Sequence, residues 1–157
     1  MPDTPAIAAL EGSKLPFDVV ETTRARSPQE SADLQGIPLS ALLRSLVVRR
    51  GDDDYVFVLV PGGRRIDWSK LRAHLGVRRL SLPDAAEALA VTGYERGAIT
   101  PFGATRAWPV IVDATALEHE VVAIGGGGHG VNIHLSPRAL VDHLGADIAE
   151  VSIDDAS

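Results

Sequence analysis

The sequence predicts an α+β fold: a single domain spanning residues 1–157, with a mixed, mostly antiparallel sheet flanked by short helices. A chain of 157 residues is long enough to build one hydrophobic core and is close to the common length of a single domain. The predicted strands occur as neighbours joined by short turns, and helices of uneven length interrupt them. The regular alternation of strand and helix that would indicate a parallel sheet is absent.

The predicted helices are short and have recognisable first and last residues. Ser27, Pro28 and Glu30 combine an N-cap, a proline suited to a first turn and a capping-box glutamate, and Gly36 ends that helix. The other predicted helices span residues 4–13, Trp68–Leu75, Leu82–Leu89 and the segment from Ser136-Pro137 to Gly145, with a helical turn over Leu39–Leu43.

Strands are predicted where short runs of β-branched and apolar residues are bounded by turn residues. The run YVFVLV at 55–60 is apolar throughout, which is typical of a strand buried on both faces. It follows a strand at 45–50 across an acidic turn. Further strands are predicted at 17–22, 109–113, 121–124, 131–135 and, as an edge strand, 148–153, and the last four residues, DDAS, are expected to be frayed.

Composition excludes several classes of protein. The chain has no cysteine, which excludes disulfides, a thiolate nucleophile and a cysteine-ligated zinc. No apolar run approaches the ~20 residues that a membrane helix requires, and the N-terminus does not have the pattern of a signal peptide, so we expect a cytoplasmic protein. The five histidines form neither a His-x-x-x-His pair nor an HExxH motif, so we expect no metal and no cofactor.

The segment TGYERGAITPFG, residues 92–103, is predicted to be an ordered, irregular loop. It has too many glycines and too few periodic apolar residues for a helix or strand. A loop of about a dozen residues inside a compact domain is usually functional or disordered, and its apolar, aromatic and proline residues favour order. Glycine allows the backbone to approach a ligand closely, and proline fixes the following turn. The alternative interpretation is that this loop has no function of its own and is a tight turn that covers the core.

Within this loop, Gly97-Ala98-Ile99-Thr100-Pro101 resembles the Gly-x-x-x-Pro loop of the YbaK/EbsC/ProX aminoacyl-tRNA deacylases. These proteins edit mischarged tRNA, alone or as a domain of prolyl-tRNA synthetase. The resemblance extends downstream through the segment from WPVIVD to IAEVS, and upstream through TTRARSPQESADLQGIPLSALLRSLVV and VFVLVPGGRRIDWSKLRAHLG. It covers nearly the whole chain and implies the fold of that family.

The resemblance also implies a site that has no nucleophile from the protein, in which water, or the substrate's own side chain or ribose hydroxyl, attacks the ester. Backbone N–H groups between residues 97 and 101 are then expected to hold the carbonyl oxygen as charge develops on it. When the functional residues of the family are matched to this sequence position by position, the catalytic residues are Arg44, Gly97 and Pro101. The implied substrate contacts are Thr22, Ala98, Ile99, Thr100, Phe102, Gly103, Gly126, Gly127 and Asn132.

Two positions depart from the family pattern. Arg44 stands where relatives usually have a lysine; it keeps the positive charge and can bind phosphate through two hydrogen bonds, but it cannot act as a deprotonated base. Thr22 stands where some bacterial members have a tyrosine and, with Val20, argues against the subtype specific for cysteine. The run Gly125–Gly130 is predicted to be a hairpin turn beside the pocket, because it lacks the Lys-Ser/Thr pair of a phosphate-binding loop.

The distribution of charge favours contact with tRNA. The net charge is −6, but residues 1–112 carry 14 basic and 13 acidic side chains, a net of +1, whereas residues 113–157 carry 1 and 8, a net of −7. The basic residues include the doublets 49–50, 64–65 and 78–79, all arginine. Arginine suits phosphate, although each doublet alone can equally be a solvated strand end or helix face. We expect the acceptor end of aminoacyl-tRNA as partner, with neither membrane nor DNA, and a monomer or weak dimer.

Two functions follow from these observations. The first is a trans-acting deacylase that hydrolyses the ester of a small mischarged amino acid on tRNA, with tRNA(Pro) as a candidate. The alternative is a non-catalytic module of the same fold that binds aminoacyl-tRNA, a small amino acid or a nucleotide, and Arg44 is the residue that motivates it.

Overall fold

The structure is a computed structural model that describes residues 2–155. Its helices are α1 (Pro5–Glu11), α2 (Pro28–Gln35), α3 (Trp68–Leu75), α4 (Ala85–Thr92) and α5 (Pro137–Leu144), with 3₁₀ turns at Leu39–Ala41 and Ala114–Glu118. Its strands are β1 (Asp18–Glu21), β2 (Leu43–Gly51), β3 (Asp54–Pro61), β4 (Arg64–Ile66), β5 (Val110–Asp113), β6 (Val122–Gly125), β7 (Val131–Leu135), β8 (Asp147–Ala149) and β9 (Ser152–Asp154).

The strands form three sheets, in the orders β1-β7-β6, β2-β3-β5-β8 and β4-β9. Pairing is antiparallel throughout the first and third sheets and between β2 and β3, whereas β5 pairs in parallel with both β3 and β8. The predicted α+β fold with a mixed, mostly antiparallel arrangement of strands is therefore confirmed. No helix within residues 2–155 is long and apolar enough to cross a membrane.

An isolated bridge joins the first sheet to the second. Leu42, just before β2, pairs in parallel with Ala123 of β6. Continuing that register by two residues brings the start of β2, at Arg44, beside Gly125 at the end of β6. The two sheets thus meet where the sequence analysis places the site.

Strand β3 separates two hydrophobic clusters, as its apolar sequence predicts. Its residues Tyr55, Phe57 and Leu59 belong to the larger cluster, together with side chains of α1, β5, β6 and β7. The intervening valines 56, 58 and 60 belong to a smaller cluster closed by α3 and Val151. Because successive side chains of a strand point to opposite faces, an uninterrupted apolar run is required to build both clusters.

The caps predicted from the sequence are confirmed. The Ser27 hydroxyl accepts a hydrogen bond from the Glu30 N–H at 3.1 Å, and Gly36 ends α2 in the left-handed conformation with φ 69°. Glycine also ends α3 and α5 with positive φ, at Gly76 and Gly145. Both α3 and β7 have the predicted bounds, because their start and stop signals are local to the sequence.

Helix α4 was predicted three residues too early. It begins after Asp84, whose carboxylate accepts a hydrogen bond from the Glu87 N–H at 2.8 Å and caps the helix. Leu82 therefore lies outside the helix and is 55% exposed. Ser81 is an N-cap residue of similar strength, but its backbone pairs with that of Arg49 in an isolated bridge, so the helix begins only at the next cap, Asp84.

The predicted strand at 148–153 is wrong, because two strands, β8 and β9, replace it. β8 pairs with β5 and β9 pairs with β4, and between them the Val151 N–H donates to the Asp113 carboxylate at 3.0 Å. The expectation of a frayed end is also wrong for Asp154, which lies in β9, and for Asp155, whose N–H donates to the Gly63 carbonyl at 2.9 Å. The last two residues of that prediction, Ala156 and Ser157, lie outside the described residues.

Candidate functional site

One tyrosine ties together both ends of the Gly-x-x-x-Pro loop. The Tyr94 N–H donates to the Thr92 hydroxyl at the end of α4, at 3.1 Å, and its own hydroxyl donates to the Phe102 carbonyl at 2.6 Å. Burial raises the pKa of Tyr94 to about 12, so the hydroxyl stays protonated and remains a donor at physiological pH. The loop between residues 94 and 102 is thereby held in a fixed shape.

The loop presents backbone donors that the protein itself does not use. Gly97 has φ 91°, and the Ala98 N–H donates to the Glu95 carbonyl at 2.9 Å. The N–H groups of Gly97, Ile99 and Thr100 donate to no other group within residues 2–155. Thr100 is fully buried and Ile99 is 9% exposed. Since an unpaired buried N–H costs about 1–3 kcal/mol, the donors of the buried residues Ile99 and Thr100 would gain from an oxygen atom of a ligand, and the exposed Gly97 offers a third donor beside them.

The side chains of the loop face the core. Ile99 and Phe102 belong to the larger hydrophobic cluster, and the Phe102 ring stacks on His143 with centroids 5.9 Å apart. Any contact that these two residues make with a substrate is therefore a contact of the backbone. Pro101 and Ala98 are buried as well, whereas Gly97 and Gly103 are exposed.

The glycine hairpin lies directly against this loop. A Cβ atom on Gly125 would lie 3.3 Å from the Ile99 carbonyl oxygen, and one on Gly127 would lie 2.8 Å from the Tyr94 ring. A Cβ on Gly97 would lie 3.3 Å from the His129 ring. The absence of side chains lets the two segments approach each other, so the structure brings together the loop and the hairpin that the sequence analysis selected.

Strands β1 and β7 border the candidate site next to the glycine hairpin. The Thr22 N–H donates to the Gly130 carbonyl at 2.8 Å, which fixes the end of β1 against the hairpin. Asn132 pairs with Gly125 across the sheet, and its side-chain amide donates to the Val20 carbonyl at 3.1 Å. Because Ile133 points into the larger core, Asn132 points to the opposite face. Thr22, Asn132 and the hairpin therefore lie together.

Arg44 reaches the site with its main chain, while its side chain is tied to β4. One terminal nitrogen of its guanidinium donates to the Arg64 carbonyl at 2.6 Å. Its Nε is buried and has no hydrogen-bond partner in the part of the chain that the structure describes. The register of the Leu42–Ala123 bridge puts the Arg44 backbone beside Gly125, as described above. The guanidinium thus keeps a buried donor, Nε, that has no partner among the described residues.

A surface cavity of about 320 Å³ lies away from this loop, between the β3–β4 turn and the 3₁₀ turn at Ala114–Glu118. None of the catalytic or substrate-contact residues predicted from the sequence lines it, although Arg64, whose carbonyl accepts a hydrogen bond from Arg44, does. We place the candidate site at the loop, because the unused N–H donors lie there. Within residues 2–155, no three histidine, aspartate or glutamate side chains are grouped so that they could hold a metal.

Sequence reasoning did not select Thr4 or Tyr94, which hold the two glycine-containing segments in place. The Thr4 hydroxyl donates to the Gly126 carbonyl at 2.6 Å. A threonine before Pro5 is a recognisable N-cap signal, but nothing in the sequence shows that its hydroxyl also reaches a residue 122 positions away. Tyr94 lies inside the predicted loop and could have been selected as its only tyrosine.

His134 links α2 to β7 and makes stability depend on pH. Its Nε2 lies 2.8 Å from the Gln35 side-chain oxygen, and burial lowers its pKa from the ordinary value, against a smaller opposing effect of Asp18. Because the folded pKa lies below the unfolded value of about 6.5, the stabilisation is complete above that pH and is lost as the pH falls. We expect the free energy of unfolding of wild type to fall between pH 7 and pH 5, and that of His134→Gln to fall less. Equal slopes in chemical denaturation would contradict this.

Comparisons with known proteins show which family the chain belongs to. The family model of the aminoacyl-tRNA editing domain matches residues 22–143, which include the loop, the hairpin and Asn132. The chain belongs to the aminoacyl-tRNA editing domain family. This editing domain is 24% identical over 152 residues to an Enterococcus faecalis protein named "Putative Cys-tRNA(Pro)/Cys-tRNA(Cys) deacylase EbsC", covering 95% of this chain and 93% of that protein.

Two further relatives extend the comparison. The editing domain is 30% identical over 142 residues to the proline–tRNA ligase of Thermosipho africanus, covering 88% of this chain and 25% of the ligase. A solved structure titled "Crystal structure of a putative trans-editing enzyme for prolyl tRNA synthetase" superposes with a TM-score of 0.88 at 26% identity, covering 98% of this chain and 99% of that one. The relatives therefore include both a free-standing editing domain and one inside a synthetase.

Proposed function

We propose that this editing domain is a trans-acting deacylase that hydrolyses the ester between a small, wrongly attached amino acid and tRNA. The observation on which the proposal depends is the set of unused N–H donors at Gly97, Ile99 and Thr100 in a loop held against the glycine hairpin. The printed names of two relatives, a Cys-tRNA(Pro) deacylase and a trans-editing enzyme for prolyl-tRNA synthetase, support tRNA(Pro) as the first tRNA to test.

The donors suit the chemistry of ester hydrolysis. Attack on the ester carbon moves negative charge onto the carbonyl oxygen, and fixed N–H groups stabilise that charge without reorganising. The chain has no cysteine that could act as nucleophile. In our proposal, water held by a neighbouring ribose hydroxyl of the tRNA attacks the carbonyl carbon and gives up a proton, and the tetrahedral intermediate collapses to the free amino acid. The leaving ribose oxygen takes a proton and stays on the tRNA.

The close approach of loop and hairpin supports a small aminoacyl group. The carbonyls of Ala98 and Ile99 lie within van der Waals distance of the place that a Cβ of Gly125 would occupy. On the neighbouring strand, the Asn132 amide is held by the Val20 carbonyl and offers a polar wall. A large aliphatic or aromatic side chain would require these segments to separate, and well-packed regions resist such overpacking.

Exposed arginines beside the site support contact with the acceptor end. Arg24 and Arg26 lie two and four residues after Thr22, are exposed, and form no ion pair with the described residues. In contrast, Arg49 and Arg50 have carboxylate partners in Asp52 and Asp54, each within 2.9 Å. Unpaired arginines gain more from binding a phosphate than arginines that must first give up a carboxylate. We assign the first phosphate contacts of the acceptor end to Arg24 and Arg26.

The proposal is tested with a panel of tRNAs charged with labelled Ala, Cys, Ser, Thr and Pro, incubated with micromolar protein. We expect release of at least one small amino acid from tRNA(Pro), with correctly charged Pro-tRNA(Pro) left intact. Arg44→Ala should slow release about 10–100-fold, since hydrogen bonds to a charged group contribute about 1.5–3 kcal/mol, and Arg44→Lys should retain most of the rate.

Arg138→Ala is the matched control for the loss of an arginine, because Arg138 is exposed in the first turn of α5 and has no ion pair in the described structure. The Arg138→Ala variant should release the amino acid at the wild-type rate. If wild type releases none of the five amino acids while still binding aminoacyl-tRNA, the deacylase proposal is wrong, and the non-catalytic module is the correct description.

A further inference from the structure

We propose that the start of helix α1, and Thr4 in particular, positions the loop and the hairpin of the site relative to each other. This inference rests on the proposed function, since it assigns a role within the same site. Helix α1 lies outside the segment that matches the family model, residues 22–143. The positioning role of α1 therefore rests on its contacts in this structure.

The hydroxyl of Thr4 makes two hydrogen bonds at once. It accepts from the Ile7 N–H at 3.1 Å, which caps α1, and donates to the Gly126 carbonyl at 2.6 Å, which holds the glycine hairpin. A hydroxyl can do both, because it has one donor and two acceptor lone pairs. The start of the helix and the hairpin are thus joined through one side chain.

The backbone after Thr4 abuts the other segment of the site. A Cβ on Gly103, just after the Gly-x-x-x-Pro loop, would lie 2.3 Å from the Pro5 carbonyl oxygen and 2.8 Å from the Ala6 nitrogen. On the hairpin side, a Cβ on Gly127 would lie 3.2 Å from the Thr4 Cβ. The first turn of α1 therefore lies against both segments.

Helix α1 is itself firmly anchored. Ala6, Ile7 and Leu10 are at most 1% exposed and belong to the larger hydrophobic cluster. Side chains buried to this extent do not move independently of the core. The helix consequently acts as a fixed support, and Thr4 transmits its position to the hairpin. The distance between the Ile99 carbonyl and Gly125 depends on that support, and so does the geometry of the unused N–H donors.

The test compares Thr4→Val, Thr4→Ser and Ser136→Ala. Valine keeps the shape of Thr4 but removes both hydrogen bonds, whereas serine keeps both. Ser136 caps α5 by accepting from the Ala139 N–H at 3.3 Å, so Ser136→Ala removes an N-cap of the same kind without a bond to the hairpin. We expect kcat of Thr4→Val to fall about tenfold with KM little changed, because a shift of well under 1 Å in the site is costly.

Thr4→Ser should recover kcat to within about twofold of wild type, and Ser136→Ala should keep the wild-type kcat although it loses about 1 kcal/mol of stability. Equal kcat in Thr4→Val and Ser136→Ala would overturn the inference, because the effect of Thr4 would then be only that of a helix cap.

A second measurement does not depend on activity. The Gly126 N–H donates to the Val131 carbonyl at 2.8 Å, and the Val131 N–H donates to the Gly128 carbonyl at 3.1 Å. We expect both amides to exchange with solvent faster, by NMR, in Thr4→Val but not in Ser136→Ala. If wild type proves inactive on every charged tRNA, the proposed function fails, and these exchange rates alone decide the role of Thr4: unchanged exchange in Thr4→Val overturns it.

Discussion

Replacing Gly97 with alanine should slow deacylation about a hundredfold while the protein stays folded. Gly97 has φ 91°, a conformation that costs a residue with a Cβ about 1–3 kcal/mol, and the new methyl group would lie 3.3 Å from the His129 ring. The loop would relieve this strain by moving its N–H groups, and a misplacement of about 1 Å can cost about a hundredfold in rate. Single-turnover release of the amino acid found with the tRNA panel measures the effect.

Gly76→Ala is the matched control for this variant. Gly76 also has positive φ, 67°, but it ends α3 next to the smaller cluster, and a Cβ there would meet nothing within 4 Å. It should lose similar stability from backbone strain and keep the wild-type rate. A Gly97→Ala protein that deacylates as fast as Gly76→Ala would show that the shape of the loop does not determine the rate.

Replacing Gly103 with alanine should lower the free energy of unfolding by about 3 kcal/mol or more. The φ of 67° is unfavourable for alanine, and its Cβ would lie 2.3 Å from the Pro5 carbonyl oxygen. That oxygen belongs to the backbone of α1, which is held by three fully or almost fully buried side chains and cannot move aside cheaply. Urea denaturation monitored by circular dichroism measures the loss.

Gly145→Ala separates the two causes of this loss. Gly145 has φ 61°, but a Cβ there would meet nothing within 4 Å, so this variant should lose only the cost of the backbone conformation, about 1 kcal/mol. The difference between the two variants, about 2 kcal/mol, then measures the contact between α1 and the end of the loop. Equal losses would show that α1 yields to the added methyl group.

Local signals explain which elements the sequence analysis could place. The cap at Ser27 and the glycine that ends α3 act within a few residues, so these boundaries are readable from the sequence. The division between β8 and β9 is not, because it depends on the bond between the Val151 N–H and Asp113, 38 positions apart. The burial of both faces of β3 followed from its composition, but the side chains that fill the cluster on each face are known only from the tertiary structure.

The candidate site likewise combines segments that the sequence reveals with contacts that only the structure shows. The loop and the glycine hairpin were recognisable as segments because glycine and proline restrict the backbone in characteristic ways. That the two segments touch, that Thr4 bonds to Gly126 and that Arg44 bonds to the Arg64 carbonyl depend on residues distant in sequence. The roles of the individual site residues stay predictions, which the Gly97, Arg44 and Thr4 variants test.

The bridge between Leu42 and Ala123 marks a seam between two sheets that share one core. Asn132 and the hairpin belong to one sheet and Arg44 to the other, while side chains of both sheets pack in the same larger hydrophobic cluster. Under the proposed function, the size of the ester that fits would then depend on how firmly this shared core holds the two sheets together. We expect substitutions of Leu42 that weaken the seam to broaden the range of esters cleaved.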